Sequence, residues 1–179
     1  MARRPAAQGS SLRVRVDTSG SGRARVETGL PVLDELLELL ARYARFDLEL
    51  ESHDGVGEAE VDAVGYALGE ALLEALTRPG ARGAASATAP ADEALAHVSL
   101  EASGRPLLVA NVDLTAARLG GLRNDFLSSF LGALADGAEL TLHVRLLHGE
   151  DTRHVLDAIV KALGLALAEA CAPRTGRGD

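Results

Sequence analysis

A chain with no tryptophan, three phenylalanines and two tyrosines cannot fill its interior with large rings. Aromatic residues make up 3% of the sequence and apolar residues 47%, so the core falls to Leu, Val and Ala, a composition suited to close-packed helices on a sheet. One cysteine, Cys171, excludes an intrachain disulfide and a zinc site built on cysteines; it fits a reducing compartment, and a cytoplasmic location is expected. The N-terminus "MARRPAAQGSSLRVRV" has two early arginines without an apolar stretch behind them, and no later run is long enough to span a bilayer. Neither export nor membrane attachment is expected. Positive charge is short as well: 18 basic against 26 acidic groups leave a net charge of −8, the wrong sign for a nucleic-acid surface. Lysine is almost missing, with Lys161 alone among the 18 basic residues.

What the chain does have is one plan written twice. "LRVRVDTSG" at 12–20 and "AHVSLEASG" at 96–104 alternate as strands do, and each ends in an acidic residue followed one position later by Ser-Gly, which predicts equivalent hairpin turns. "PVLDELLELLARYA" at 31–44 and "NDFLSSFLGALADGA" at 124–138 are amphipathic helices in which Leu33, Leu37 and Leu40 correspond to Leu127, Leu131 and Leu134. A strand follows in each half, "FDLELES" and "LTLHVRLL", and then a second helix. In those second helices Asp62, Leu68, Gly69, Ala71, Leu72 and Glu74 recur as Asp157, Leu163, Gly164, Ala166, Leu167 and Glu169.

So long a period predicts an α+β fold of internally duplicated half-domains, each a mixed four-stranded sheet with two helices on one face. The boundaries predicted are a flexible N-terminus at 1–11, a first half at 12–93, a second half at 94–172 and a tail at 173–179, all in one compact domain. The Gly-, Pro-, Ala- and Ser-rich stretch 78–94 is the expected joint.

In the last helix Leu156, Val160, Leu163 and Leu167 form one stripe, which puts Arg153, His154 and Asp157 on its flank. The matching flank of the first half carries Glu58, Ala59 and Asp62. Residues three and four apart on a helix can chelate one ion, and two halves offer two such half-sites. A solvated charged surface satisfies the same pattern.

The stretches "ETGLPVLDELL", "RFDLEL", "ADEALAHVSLEASGRPLL" and "TLHVRLLHGEDTRHVLDAIVKAL" are collinear with, and resemble, the imidazoleglycerol-phosphate dehydratase family from about residue 12 to about residue 171. The resemblance implies a hydro-lyase of histidine biosynthesis that converts imidazole glycerol phosphate to imidazole acetol phosphate. It also implies a homo-oligomer built from trimers, up to a twenty-four-subunit shell, and two manganese ions held by paired His-His-x-x-Glu motifs. In that chemistry the metals stabilise negative charge on the substrate's imidazole while a proton leaves carbon and water departs.

Carried over by position, the metal set is Glu35, Glu58, Asp62, His143, His154 and Asp157, with Asp62 and Asp157 in the catalytic glutamate positions. Arg105, Arg118 and Lys161 match family positions and are expected to hold the substrate phosphate of a small phosphorylated imidazole. Four positions depart from the pattern in kind: Glu35 stands where a single histidine belongs, Glu58 and Ala59 stand where a histidine pair belongs, and Arg153 replaces the first histidine of the second motif. A permanent cation in a ligand position repels a metal. Charge balance instead pairs Arg153 with Asp157, Glu58 or Glu35. Three functions compete on these residues: an active dehydratase with a rebuilt site, a non-catalytic homologue that keeps the oligomeric fold as a structural or binding protein, and an enzyme acting on another small phosphate ester.

Overall fold

The computed structural model describes residues 12–52, 56–57, 60–112 and 125–174. In chain order the elements are β1 (Leu12–Asp17), β2 (Ala24–Glu27), α1 (Pro31–Ala44), β3 (Asp47–Ser52), α2 (Val61–Thr77), β4 (Ala84–Ala91), β5 (Ala94–Glu101), β6 (Leu107–Ala110), α3 (Phe126–Gly137), β7 (Thr141–His148) and α4 (Thr152–Cys171). The predicted Leu stripes are the reason the helices form where they do. Leu33, Leu37, Leu40, Leu127, Leu131 and Leu134 are all buried, as are Leu156, Val160, Leu163 and Leu167.

The strands make two sheets, ordered β1-β3-β2 and β4-β5-β7-β6. In the first, β3 is antiparallel to β1 and parallel to β2; in the second, β7 is antiparallel to β5 and parallel to β6. Three strands of each half therefore follow the same path. The fourth strand expected in each sheet is present in the second as β4, and the first has three among the described residues. The turns after Asp17 and Glu101 are equivalent, but they are not hairpins. The strand that arrives later, β3 or β7, inserts between the two that each turn joins, and its Leu48 and Leu50, or Leu142 and Val144, are buried there.

A second correction concerns the joint. "AASATAPA" at 84–91 is strand β4, paired with β5 along its whole length, so only residues 78–83 connect the halves, and a boundary at 93/94 falls within a hairpin. Its small residues alternate strictly, Ala85, Ala87, Ala89 and Ala91 facing inward. Pro90 is tolerated because β4 is an edge strand. The tail is also anchored at its start, where Pro173 bridges to Ala81 and Arg174 N–H donates to Gly80 O at 2.7 Å.

Helices α1 and α2 lie on the first sheet and α3 and α4 on the second, and the helices meet across the halves: α2 packs on α3, and α1 on α4. Glycine makes both approaches possible. A Cβ at Gly69 would sit 2.5 Å from Leu134 O, and one at Gly164 would sit 2.9 Å from Leu40 O. Gly69 and Gly164 are repeat partners, and so are Leu134 and Leu40, so one contact is built twice.

Each first helix also ends in the same way. Phe46 N–H reaches back to Ala41 O and Leu140 N–H to Ala135 O, with Arg45 (φ 57°) and Glu139 (φ 53°) in the left-handed conformation that closes such a terminus. At the other end of α1, Asp34 Oδ1 accepts from the Thr28 N–H at 2.9 Å and from its hydroxyl at 2.5 Å. That fully buried threonine thereby fixes the first turn, which carries Glu35.

Candidate functional site at the start of α4

Asp151 caps α4, its Oδ1 accepting from the N–H groups of Arg153 at 2.8 Å and His154 at 3.1 Å. With the first turn fixed, the two cationic side chains diverge towards different neighbours.

Arg153 turns towards α1. Its Nη1 lies 2.7 Å from Glu35 Oε2, and its Nε donates to Asp157 Oδ1 at 3.1 Å, one turn along α4. A single guanidinium thus joins carboxylates from two helices, one from each half. The hydrogen bond it donates to Glu35, above all, raises its already high pKa further. Arg153 and Glu35 are 39% and 56% exposed, so the pair contributes no more than about 1 kcal/mol to stability. Its importance lies in where the charge sits.

His154 turns towards the two-residue loop between β4 and β5. Its Nδ1 is 2.5 Å from Glu93 Oε2 and its Nε2 is 3.4 Å from Asp92 Oδ2. The other oxygen of Glu93 accepts from the N–H groups of Asp151 at 3.0 Å and Glu150 at 3.4 Å. The Asp151 N–H, then the His154 ring, hold the Glu93 carboxyl at about 2, below its ordinary 4.5, and Glu93 in turn raises His154 above 6.5.

The signs set a pH window. The raised histidine contributes stability below pH 6.5 and loses it as pH rises through the folded value; the lowered glutamate contributes above pH 4.5 and loses it as pH falls through about 2. Both contributions are complete between pH 4.5 and 6.5. On going from about pH 6 to about pH 9, the thermal midpoint of the natural protein should therefore fall further than that of His154→Gln. Equal falls, followed by circular dichroism, would count against this contact.

The other expected site residues are dispersed. Asp62 stands in the first turn of α2, where its Oδ1 accepts from Ala63 N–H at 3.0 Å. His143 projects from the outer face of the second sheet, in an open hollow of about 480 Å³ shared with Ser86, Ser99 and Thr141. Arg105 lies exposed in the β5–β6 turn. Lys161 donates to Pro90 O at 3.3 Å, and its ammonium lies 5.5 Å from the centre of the Tyr43 ring. Glu58 and Arg118 lie outside the described residues.

The structure therefore brings together Glu35, Arg153 and Asp157, and separately His154, Glu93 and Asp92. Among the described residues, no three His, Cys, Asp or Glu side chains converge as a metal would require. Glu93 and Asp92 are absent from the set expected from sequence. The signal for them was two adjacent acids at a hairpin tip, which become partners of His154 only once the sheet places that tip over the start of α4.

The family model described as imidazoleglycerol-phosphate dehydratase matches residues 28–167. An imidazoleglycerol-phosphate dehydratase of Clostridium botulinum (strain Kyoto / Type A2) is 36% identical over 168 residues, covering 90% of this chain and 84% of the relative. That of Acetivibrio thermocellus is also 36% identical, over 90% and 85% of the two chains. Among solved structures, the Pyrococcus furiosus enzyme in complex with (S)-C348 superposes with a TM-score of 0.82 at 28% identity, covering 97% of this chain and 95% of that one. The Staphylococcus aureus N315 enzyme gives 0.82 at 28% identity, with coverages of 89% and 92%. With its paired sheets, the helices between them and a motif-bearing helix in each half, the chain belongs to the imidazoleglycerol-phosphate dehydratase family.

Proposed function

We propose that the chain serves histidine biosynthesis as an imidazoleglycerol-phosphate dehydratase, taking a small phosphorylated imidazole as substrate and working as a homo-oligomer built from trimers, up to a 24-mer. Family membership across residues 28–167 carries this reading. Of the three expected phosphate ligands, Arg105, exposed at a strand end, and Lys161, which meets a carbonyl and a ring face, are described, and neither is taken up by an ion pair.

The family's metal dependence meets a poor fit here. A manganese pair wants converging neutral nitrogen and carboxylate donors. At the start of α4 the carboxylates of Glu35 and Asp157 are instead bridged by Arg153, and His154 is held by Glu93. No step through a metal is assigned to these residues.

The arginine contact itself favours a second reading, a non-catalytic homologue that keeps the oligomeric fold. One experiment separates the two: metal content of protein purified without chelators, measured together with turnover of imidazole glycerol phosphate with and without added manganese. Turnover above background upholds the first reading. A folded, oligomeric protein without turnover and with substoichiometric metal upholds the second.

A further inference from the structure

The repeat fills one place in the second half that it leaves open in the first. Strand β4 pairs with β5 and packs on α4, where Ala158, Ala162, Ala166 and Ala170 are fully buried. The repeat partners of these four on α2 are Ala63, Ala67, Ala71 and Ala75, and all of them are only half-buried. The strands differ in the same way. Ala96, Val98 and Leu100 of β5 are buried, whereas their partners on β1, Leu12, Val14 and Val16, are half-buried. Among the described residues β1 pairs with β3 alone, so its other side is an open edge of N–H and C=O groups.

The surroundings of this edge define what fits it. On the inner side lie the aliphatic residues of β1 and the alanines of α2, and in the second half the equivalent place is taken by Ala85, Ala87, Ala89 and Ala91 of β4. Small apolar side chains are therefore required there. On the outer side, charge alternates from strand to strand: Arg25 of β2, Glu49 of β3 and Arg15 of β1 stand in register on the exposed face, and Arg13 lies opposite Glu51. Among the described residues neither Arg13 nor Arg15 forms an ion pair, so the next strand of the ladder is suited to carboxylates. Residues 1–11, "MARRPAAQGSS", hold Arg3 and Arg4 and no acid, the wrong sign for that place.

We propose that the open edge of β1, with the alanine flank of α2, is a docking site for an extended segment of a different protein, small and apolar at alternate positions and acidic between them. The segment adds a fourth strand antiparallel to β1, as β4 does to β5. Main-chain hydrogen bonds supply the affinity and the alternating side chains the selectivity. Arg13 and Arg15 set the sign of the partner, and Ala63, Ala67, Ala71 and Ala75 limit the size of its inward residues. The site is built on β1 and α2 and rests on neither reading of the α4 site.

A labelled peptide of alternating alanine and glutamate, eight residues long like β4, tests it by fluorescence anisotropy against the full chain. It should bind at least about tenfold more tightly than a peptide of the same composition with its alanines and glutamates in separate blocks. R13E/R15E should weaken that binding at least about tenfold and favour an alternating alanine–lysine peptide instead. A67L/A71L fills the inner side and should abolish binding of the peptide while circular dichroism stays native. The sedimenting mass of the protein should not fall when the peptide binds. Absence of binding, equal binding of the block peptide, or unchanged binding by either folded double variant overturns the proposal. Binding that requires deletion of residues 2–11 assigns the edge to the chain's own N-terminus, and a fall in mass on binding assigns it to a second copy; each overturns it as well. If R13E/R15E fails to fold, R15E alone is held to the same outcomes.

Discussion

Gly137→Ala should unfold at markedly lower urea than the natural protein, with a loss of about 3 kcal/mol. The added Cβ would lie 2.2 Å from Tyr66 O and 3.0 Å from Glu70 N, both backbone atoms of α2 that no rotamer change can move aside. Helix propensity pulls the other way, since alanine is the better helix former by about 1 kcal/mol. Overpacking typically costs about 1–3 kcal/mol and more where backbone must shift, so the steric cost wins. Gly132→Ala on the same helix is the control. Its nearest neighbour would be Leu108 Cδ2 at 3.9 Å, an ordinary contact, and propensity should leave that variant unchanged or up to about 1 kcal/mol more stable. A Gly137→Ala protein as stable as the Gly132→Ala protein would refute the close α2–α3 approach.

The second large effect concerns metal. Converting the family-aligned positions together, Glu35→His, Glu58→His, Ala59→His, Asp62→Glu, Arg153→His and Asp157→Glu, should tighten manganese binding at least about a hundredfold, equivalent to about 2.7 kcal/mol. Removing Arg153 takes away the cation that now occupies Glu35 and Asp157, and the imidazoles supply the neutral nitrogens that the natural chain lacks at these positions. Titration calorimetry on both proteins decides the matter. Tight binding by the unmodified chain, equal to that of the sixfold variant, would show that Arg153 yields to the metal and would return the dehydratase chemistry to these residues.

How far the sequence led can be judged from particular residues. The Leu stripes of α1, α3 and α4 were legible because a period of 3.6 residues reports directly which face is buried. The pairing of Arg153 with an acid followed from charge balance, but which of Asp157, Glu58 and Glu35 it would take did not. Asp157 is one turn along the same helix, whereas Glu35 lies on α1 and reaches Arg153 only because α1 packs on α4. Strand β4 was hidden because alanine alternating with Ser, Thr and Pro resembles a linker in composition, although its inward residues are as periodic as those of any strand. Gly69 and Gly164 were visible as repeated letters. Their reason, a backbone carbonyl from the other half at each, was not.

That cross-half packing bears on how the chain reaches its native state. Because α1 meets α4 and α2 meets α3, neither half closes its apolar surface alone, and an isolated first half would leave Leu33, Leu37 and Leu72 without their full covering. The sequence repeat is therefore not a repeat of folding units. The contacts that complete the core join residues from 65 positions apart (Gly69 and Leu134) to 124 apart (Leu40 and Gly164), and the entropy of closing loops of that size is lost before those contacts form. Such a chain is expected to fold late in its synthesis, after α4 has emerged, and to unfold as one cooperative body in spite of its two-part plan.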